Sequence, residues 1–337
     1  GTTWANVVDG GIYSGATTAS LNISNTTTVI NYQYYCQIRE NLATCYSASN
    51  AIKITDTNAT TWDGSAWSNG APSLTKAAII DGTYVTATNG NFSCCSLTVN
   101  SGVGRSLTIS SGGYVEVQNN ITNNGLLDVL DNGSLVQIDD AGVNTGNVFV
   151  KRTADLRLHD YSYWSTPVSD ATGAPIFPIT SVSPNTPTSV IWKWGPASPS
   201  GNAGQGMWLN TIENMVKGTG YAVRGPSGTG NATTTPLNVN FEGVPNNGVI
   251  QVDIARGSDL NAGTAGPNGV MRTIKDDNFN LIGNPYPSAI DADLFIARYG
   301  VSTSPDYADI EGSVRIWSHN SLPLGSNPDP FYANYQV

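Results

Sequence analysis

Five short stretches decide the fold: Leu97-Thr98-Val99, Leu107-Thr108-Ile109, Val115-Glu116-Val117, Leu127-Asp128-Val129 and Leu135-Val136-Gln137-Ile138. Each places apolar residues at alternate positions, the period of a strand with one buried face. Between them lie turn formers: Asn100-Ser101-Gly102, Ser111-Gly112-Gly113, Asn123-Asn124-Gly125 and Asp131-Asn132-Gly133. Strands recurring at roughly 8–12 residue spacing predict a β-solenoid in which each rung buries its apolar side against the next, with an ordinary β-sandwich as the competing arrangement. This unit begins at Thr60-Thr61-Trp62-Asp63-Gly64-Ser65-Ala66-Trp67 and extends to about residue 150.

On its N-terminal side, residues 1–55 alternate in strand fashion through Leu21-Asn22-Ile23, Tyr32 to Ile38 and Ala51 to Ile54. Tyr34, two residues before Cys36, matches the corner tyrosine of a late immunoglobulin-like strand, so this segment is expected to be a partial Ig-like module. On the C-terminal side, residues 151–337 hold Tyr161-Ser162-Tyr163-Trp164, Trp192-Lys193-Trp194 and several proline-rich loops, which predict an irregular, aromatic-rich β unit. One helix is expected over Ser288 to Tyr299, capped by Ser288. The fold class is therefore all-β, in three units joined by short linkers that favour a stiff rod.

Charge narrows the function. Charged residues make up 12% of the 337 residues, and 15 basic against 25 acidic side chains leave a formal charge of -10. With no run of three Lys or Arg, the chain lacks the basic footprint that nucleic acid or an anionic membrane surface requires. No stretch approaches the roughly 18 apolar residues of a membrane span. The N-terminus carries no charged-then-apolar leader, so a secretory signal, if the native protein has one, is expected outside these residues.

Four cysteines fall in two pairs. Cys36 and Cys45 are spaced for a disulfide closing adjacent strands, which implies an oxidising compartment. The vicinal Cys94 and Cys95 point to opposite faces of a strand and are expected as free thiols.

No catalytic constellation emerges. His159 and His319 are far apart, no Gly-x-Ser-x-Gly elbow is present, and both histidines are expected as structural residues. Asp139-Asp140, Asp276-Asp277 and Asp291-x-Asp293 are expected as solvated surface; calcium is the one cofactor their oxygens would suit. Gly218-Thr219-Gly220 and Gly228-Thr229-Gly230 lack the Lys-Ser/Thr of a phosphate loop and are assigned to turns. Trp62, Trp67, Trp192, Trp194 and Trp208 serve either as core or as a sugar-stacking platform, and Trp192-x-Trp194 places two rings on one strand face in either case. Trp192 and Trp194 are accordingly the candidate ligand-binding residues.

Taken together, Trp62-Asp63-Gly64 through Trp67-Ser68, Thr122 to Gly125, Gly133 to Gln137, Tyr161 to Val168, Gly218 to Val223 and Gly283-Asn284-Pro285-Tyr286-Pro287-Ser288 carry a resemblance. Over about residues 60–320 the chain resembles the C-terminal region of large cell-surface proteins that gliding bacteria export through the type IX secretion system. That resemblance implies a non-enzymatic segment of an exported surface adhesin, in several members moved by the gliding machinery, with a sorting domain beyond this region. It implies the type IX export machinery as a partner, and surface glycans or another extracellular molecule as ligand. It supplies no catalytic residues. The alternatives are a carbohydrate-binding region of a secreted multidomain enzyme and a region that serves mainly export.

Overall fold

The structure, a computed structural model, describes residues 4–29, 32–40, 44–54, 58–197, 206–255, 279–299, 310, 314–317 and 335–336. It divides into two compact units, residues 1–59 and 60–337.

In the first unit six strands of two residues each pair as hairpins. These are β1 (Tyr13–Ser14) with β2 (Asn22–Ile23), β3 (Gln33–Tyr34) with β6 (Ile52–Lys53), and β4 (Gln37–Ile38) with β5 (Ser47–Ala48). The Tyr34 hydroxyl meets that of Tyr13 at 2.9 Å. Val29 is the one buried apolar side chain among the described residues of this unit, while Tyr32, Ile38, Tyr46 and Ile52 are exposed. Two-stranded ladders with so little burial are marginal by themselves.

The Cys36–Cys45 disulfide is not formed in this structure, and both thiols are free and exposed. Register explains it. Gln37 faces Ala48, Ile38 faces Ser47, and the Ser49 N–H donates to the Cys36 carbonyl at 2.9 Å. Cys36 therefore sits opposite Ser49, while Cys45 lies beyond the paired strands toward the turn. A disulfide needs the two Cα atoms within about 7 Å.

The second unit opens with β7 (Ala59–Trp62) and then coils through three faces. The first coil is β8 (Ala77–Ile80), β9 (Thr83–Val85) with the short helix α1 (Thr86–Asn89), and β10 (Phe92–Cys94). The second is β11 (Leu97–Val99), β12 (Ser106–Ile109) and β13 (Tyr114–Val117). The third is β14 (Ile121–Asn123), β15 (Leu126–Val129) and β16 (Ser134–Gln137). A further coil begins with β17 (Asn144–Thr145) and β18 (Val148–Leu156). Strands stack in parallel on equivalent strands of the next coil: β8-β11-β14-β17, β9-β12-β15-β18 and β10-β13-β16. With β7 next to β8 at the start of the first sheet, this makes a β-solenoid-like arrangement of about five turns.

Alternation sets its core. Ala78, Leu97 and Ile121 stack on the first face; Tyr84, Leu107, Leu127 and Val148 on the second; Phe92, Val115 and Leu135 on the third, all buried. Corners are polar and tightly packed. Asp81 accepts from Asn100 Nδ2 at 2.8 Å and pairs with Arg105 at 2.7 Å, while buried Asn123 donates to the Asn147 carbonyl one coil on. At the start of the solenoid Trp62, Trp67, Tyr84 and Phe92 form an aromatic plug with ring centroids 4.9–5.5 Å apart. Trp62 and Trp67 are thus core aromatics.

Cys94 occupies an inward position beneath Val117 and is fully buried, and Cys95 sits at the corner, where Asn119 Nδ2 donates to its carbonyl. Burial, with Cys95 beside it, pushes the Cys94 thiol up to about 12. Because the thiolate is the reactive form, Cys36 and Cys45 should label readily in the native protein and Cys94 only after unfolding. Mass-spectrometric mapping after a short alkylation pulse checks this; equal labelling of Cys94 and Cys36 would contradict it.

β18 carries the chain from the solenoid into the remainder of the unit. Its first residues pair in parallel with β15, and its whole length pairs antiparallel with β24 (Thr235–Pro245). Before β24 come β19 (Tyr161–Trp164), β20 (Val168–Ser169), β21 (Ile191–Gly195), β22 (Met207–Asn210) and β23 (Tyr221–Arg224). β20 pairs with β24, and the others form a four-stranded antiparallel sheet of order β19-β23-β21-β22. A strap over residues 284–289 then lies against β16, followed by α2 (Ala292–Tyr299). The helix is capped by Asp291, whose Oδ1 accepts the Leu294 N–H at 2.9 Å, rather than by Ser288. Ser288 is held in the strap, its carbonyl accepting from Asn284 Nδ2.

Candidate functional site

The four-stranded sheet positions the candidate tryptophans. Its registers set Ile191, Val223, Tyr221 and Trp164 on the face turned to the core, where all four are buried. On the opposite face lie Tyr163, Trp192, Trp194, Trp208 and Ala222. Trp192 and Trp194 therefore share one strand face, and both are half-buried. Trp194 meets Trp208 edge-on at 5.2 Å, and Trp208 lies 6.0 Å from Tyr163. Trp192 Nε1 donates to the Tyr161 hydroxyl at 3.3 Å and Trp194 Nε1 to the Phe279 carbonyl at 2.6 Å. With their N–H groups occupied, these rings offer π-faces and edges, the chemistry that stacks on the apolar side of a sugar ring.

On the core face Lys193, Glu213 and Tyr221 form a polar clamp. Lys193 Nζ lies 2.6 Å from Glu213 Oε2, the Tyr221 hydroxyl donates to Glu213 Oε1 at 2.9 Å, and the Val216 N–H donates to that hydroxyl at 3.0 Å. Burial alone would raise the Glu213 carboxyl, but the bonds from Lys193 and Tyr221 outweigh it and hold it below its ordinary value. Burial, reinforced by Glu213, raises the Tyr221 phenol. A depressed carboxylate contributes stability that is present above its unfolded value and is lost as pH falls through its folded value. The Lys193 and Glu213 side chains are 34% and 35% exposed, so solvent screening limits the pair to about 1 kcal/mol or less. Glu213→Gln should therefore flatten the acid limb of the stability profile slightly and leave the neutral range unchanged in shape. Urea midpoints taken across an acid series test this; an unchanged acid limb would remove Glu213 from the account.

Between β18, β19, Phe241 and residues 282–286 lies a cavity of about 360 Å³. Trp164 Nε1 and Ser165 Oγ, in residues that line it, are buried without a hydrogen-bond partner. Arg152 also lines it, at the position on β18 that continues the inward series Val148, Val150. Its guanidinium donates to the carbonyls of Leu130 and Lys151, and burial lowers its pKa. A smaller cavity of about 140 Å³ lies at the end of the solenoid, beside Gln137, Asp140, Asn246 and Tyr286. Among the described residues neither lining contains a nucleophile paired with a base.

The remaining candidates are kept apart. His159 is exposed, and its neighbour Asp160 is buried against Arg157 at 3.2 Å. His319 and Asp276-Asp277 lie outside the described residues. Asp139 accepts the Ala141 N–H in a turn, and Asp291 caps α2. Among the described residues no group of three or more His, Cys, Asp or Glu side chains is placed to hold a metal ion. Thr219, between Gly218 and Gly220, bridges to Ile282, and a Cβ on Gly220 would meet Leu281 at 2.6 Å. That glycine segment is thus a packed turn. Sequence reasoning missed Arg152 and Glu213, although a cation in phase with Val148 and Val150 was a visible irregularity.

A family model described as a domain of unknown function, DUF8693, matches residues 54–337. The chain belongs to this family. The DUF8693 match takes in the whole second unit, solenoid and antiparallel sheets together. Searches of curated proteins and of solved structures found no match. In the described residues of this DUF8693 chain no helix is long and apolar enough to cross a membrane.

Proposed function

We propose that this chain is a non-enzymatic segment of a secreted cell-surface adhesin, exported by the type IX secretion system and presented outside the cell, in a gliding-motility or attachment role. The observation that supports this best is the solenoid itself. Its inward columns are apolar, while its outward positions are rich in hydroxyls, with Ser93, Thr98, Ser106, Thr108, Thr122 and Ser134 all outside the core. A coil held by nearest-neighbour stacking is a stiff, soluble spacer that needs no charge-rich surface. The net charge of -10 suits solubility and gives no purchase on nucleic acid. Inactivating type IX export in the source organism tests the reading: the antigen should leave the cell surface and accumulate inside the outer membrane. Undiminished surface antigen would reject that route.

A second reading, a carbohydrate-binding region of a secreted multidomain enzyme, is favoured by the aromatic sheet face of Tyr163, Trp192, Trp194 and Trp208. Tryptophan fluorescence titrated with a panel of polysaccharides tests it. Binding lost in Trp194→Ala with the fold intact supports this reading, and no response to any polysaccharide rejects it.

A further inference from the structure

The cavity between β18, β19, Phe241 and residues 282–286 is chemically one-sided. Its lining holds one cation, Arg152, and among the described residues no Asp or Glu. At about 360 Å³ it far exceeds the roughly 10–15 Å³ that a single water requires, and it falls at the small end of the range for ligand pockets, about 300–1,000 Å³. The space suits one ring rather than a chain. Thr153 and Ile282, the exposed residues of the lining, mark where it meets solvent.

Donors in this lining outnumber the acceptors that meet them. Arg152 Nη1 donates to the Lys151 carbonyl at 2.8 Å and the Leu130 carbonyl at 3.3 Å, and Nη2 reaches the Gly133 carbonyl at 3.5 Å. A guanidinium carries more N–H groups than these carbonyls take up, so the Nε–H and one Nη2–H are left without a protein acceptor. Among the described residues no carboxylate forms an ion pair with Arg152; Asp131, whose charge acts on it, accepts from the Thr153 N–H at 3.1 Å and from Asn132 Nδ2 at 3.0 Å instead. Trp164 Nε1 and Ser165 Oγ are further donors, buried in the wall without a partner, and Trp164 is only 7% exposed. Unpaired buried donors are costly, so these groups call for oxygens that the protein does not supply. Asn284 and Tyr286 are already engaged. Asn284 Oδ1 accepts the Tyr286 N–H at 2.9 Å and its Nδ2 donates to the Ser288 carbonyl, while the Tyr286 hydroxyl donates to the Gly248 carbonyl at 2.7 Å. These bonds, with the Gly283 N–H donating to the Gly218 carbonyl at 2.9 Å, fix the strap as one wall. The rings of Trp164 and Phe241, 6.4 Å apart, and that of Tyr286 add aromatic surface.

We infer that this cavity is a binding site for a single sugar acid, a hexuronate ring, with its carboxylate on the open N–H groups of Arg152, its other oxygens on Trp164 and Ser165, and its apolar face on the aromatic wall. A neutral sugar would leave the guanidinium without a counter-charge. A simple aliphatic acid would leave the donors at the end of β19 unpaired, and sulfate or phosphate would leave the aromatic wall unmatched. The chain's net charge of -10 opposes an anion only at long range, because salt screens charges beyond about 10 Å at 0.1 M. Trp192, Trp194 and Trp208 do not line the cavity, so the inference does not rest on the aromatic sheet face or on where the protein is displayed.

The test is calorimetric titration of the full chain with sodium glucuronate, with glucose, sodium acetate and sodium sulfate as comparators and circular dichroism as the check on folding. Glucuronate should bind saturably and at least about tenfold more tightly than any comparator, the margin of one charge-assisted hydrogen bond. Arg152→Gln should weaken it by about thirtyfold or more, since it removes the charge that meets the carboxylate. Ala154 lines the same cavity two residues along β18. Ala154→Leu should fold like the parent, because the cavity receives the added methyls, and should lose glucuronate binding. Trp194→Ala should bind as the parent does. A uronate trimer titrated in parallel separates a free sugar acid, which binds only as the monomer, from the end of an acidic polysaccharide, which binds in both forms, and each result supports the site. No saturable glucuronate binding, or a comparator that matches it, overturns the proposal. So does a folded Ala154→Leu protein that binds unchanged, the variant that decides should Arg152→Gln fail to fold. Binding lost in Trp194→Ala but kept in Ala154→Leu places the sugar on the sheet face and contradicts this site.

Discussion

Gly146→Ala should destabilise the second unit by about 2–5 kcal/mol, the sum of left-handed backbone strain and overpacking. Gly146 has φ of 83°, and a Cβ built there would overlap the Asn123 carbonyl oxygen on the coil below. That oxygen belongs to backbone in the first face of the solenoid, so the clash is relieved only by separating two coils. Gly112 provides the matched control. Its φ is 72°, yet nothing lies within 4 Å of its Cβ position. Gly112→Ala should therefore carry the strain alone, about 1–2 kcal/mol. Urea unfolding followed by tryptophan fluorescence distinguishes the two; equal losses would mean that coil-to-coil contact at Gly146 is looser than described.

Leu127→Ala should cost about 2–5 kcal/mol and be felt beyond the solenoid. Leu127 is fully buried, stacked between Leu107 and Val148 in the second inward column. Val148 begins β18, which pairs with β24 through Leu156. Loss of packing at Leu127 should thus speed amide exchange in β24 as well as in β15. The adjacent Leu126 is 42% exposed, and Leu126→Ala should stay within about 0.5 kcal/mol of the parent. Similar losses at both positions would contradict the period-two assignment. A Leu127 effect confined to β15 would contradict the continuity through β18.

Much of the fold was legible because strand alternation is a local signal. Leu97-Thr98-Val99 and Leu127-Asp128-Val129 state which residues go inward, and their turns carry Asn and Gly where the coil must bend. Strand pairing was less legible, because whether a run joins its neighbour in the chain or a strand one coil away depends on contacts between residues 21–24 apart, such as Thr83 with Gly104 and Asn123 with Asn147. Cys36 and Cys45 illustrate the limit: spacing allows a disulfide, while the register seen here sets Cys36 opposite Ser49. The role of Gly283-Asn284-Pro285-Tyr286-Pro287-Ser288 was equally hidden. Its partners, Leu135, Gly218, Asn246 and Gly248, are far from it in sequence, so the segment is intelligible only once the solenoid's end is in place. Trp192 and Trp194 were placed on one face by alternation, whereas the contributions of Tyr163 and Trp208 to that face follow from the order of the sheet.

The central claim is that this protein is displayed outside the cell as part of a larger chain. Its most direct test is an antibody raised to these residues, applied to intact source cells by immunofluorescence and to whole lysate on a denaturing gel. The account predicts labelling of unpermeabilised cells and a band far above 35.4 kDa. Signal that appears only after permeabilisation, with a band near that mass, would contradict it and reopen the case for an internal enzyme.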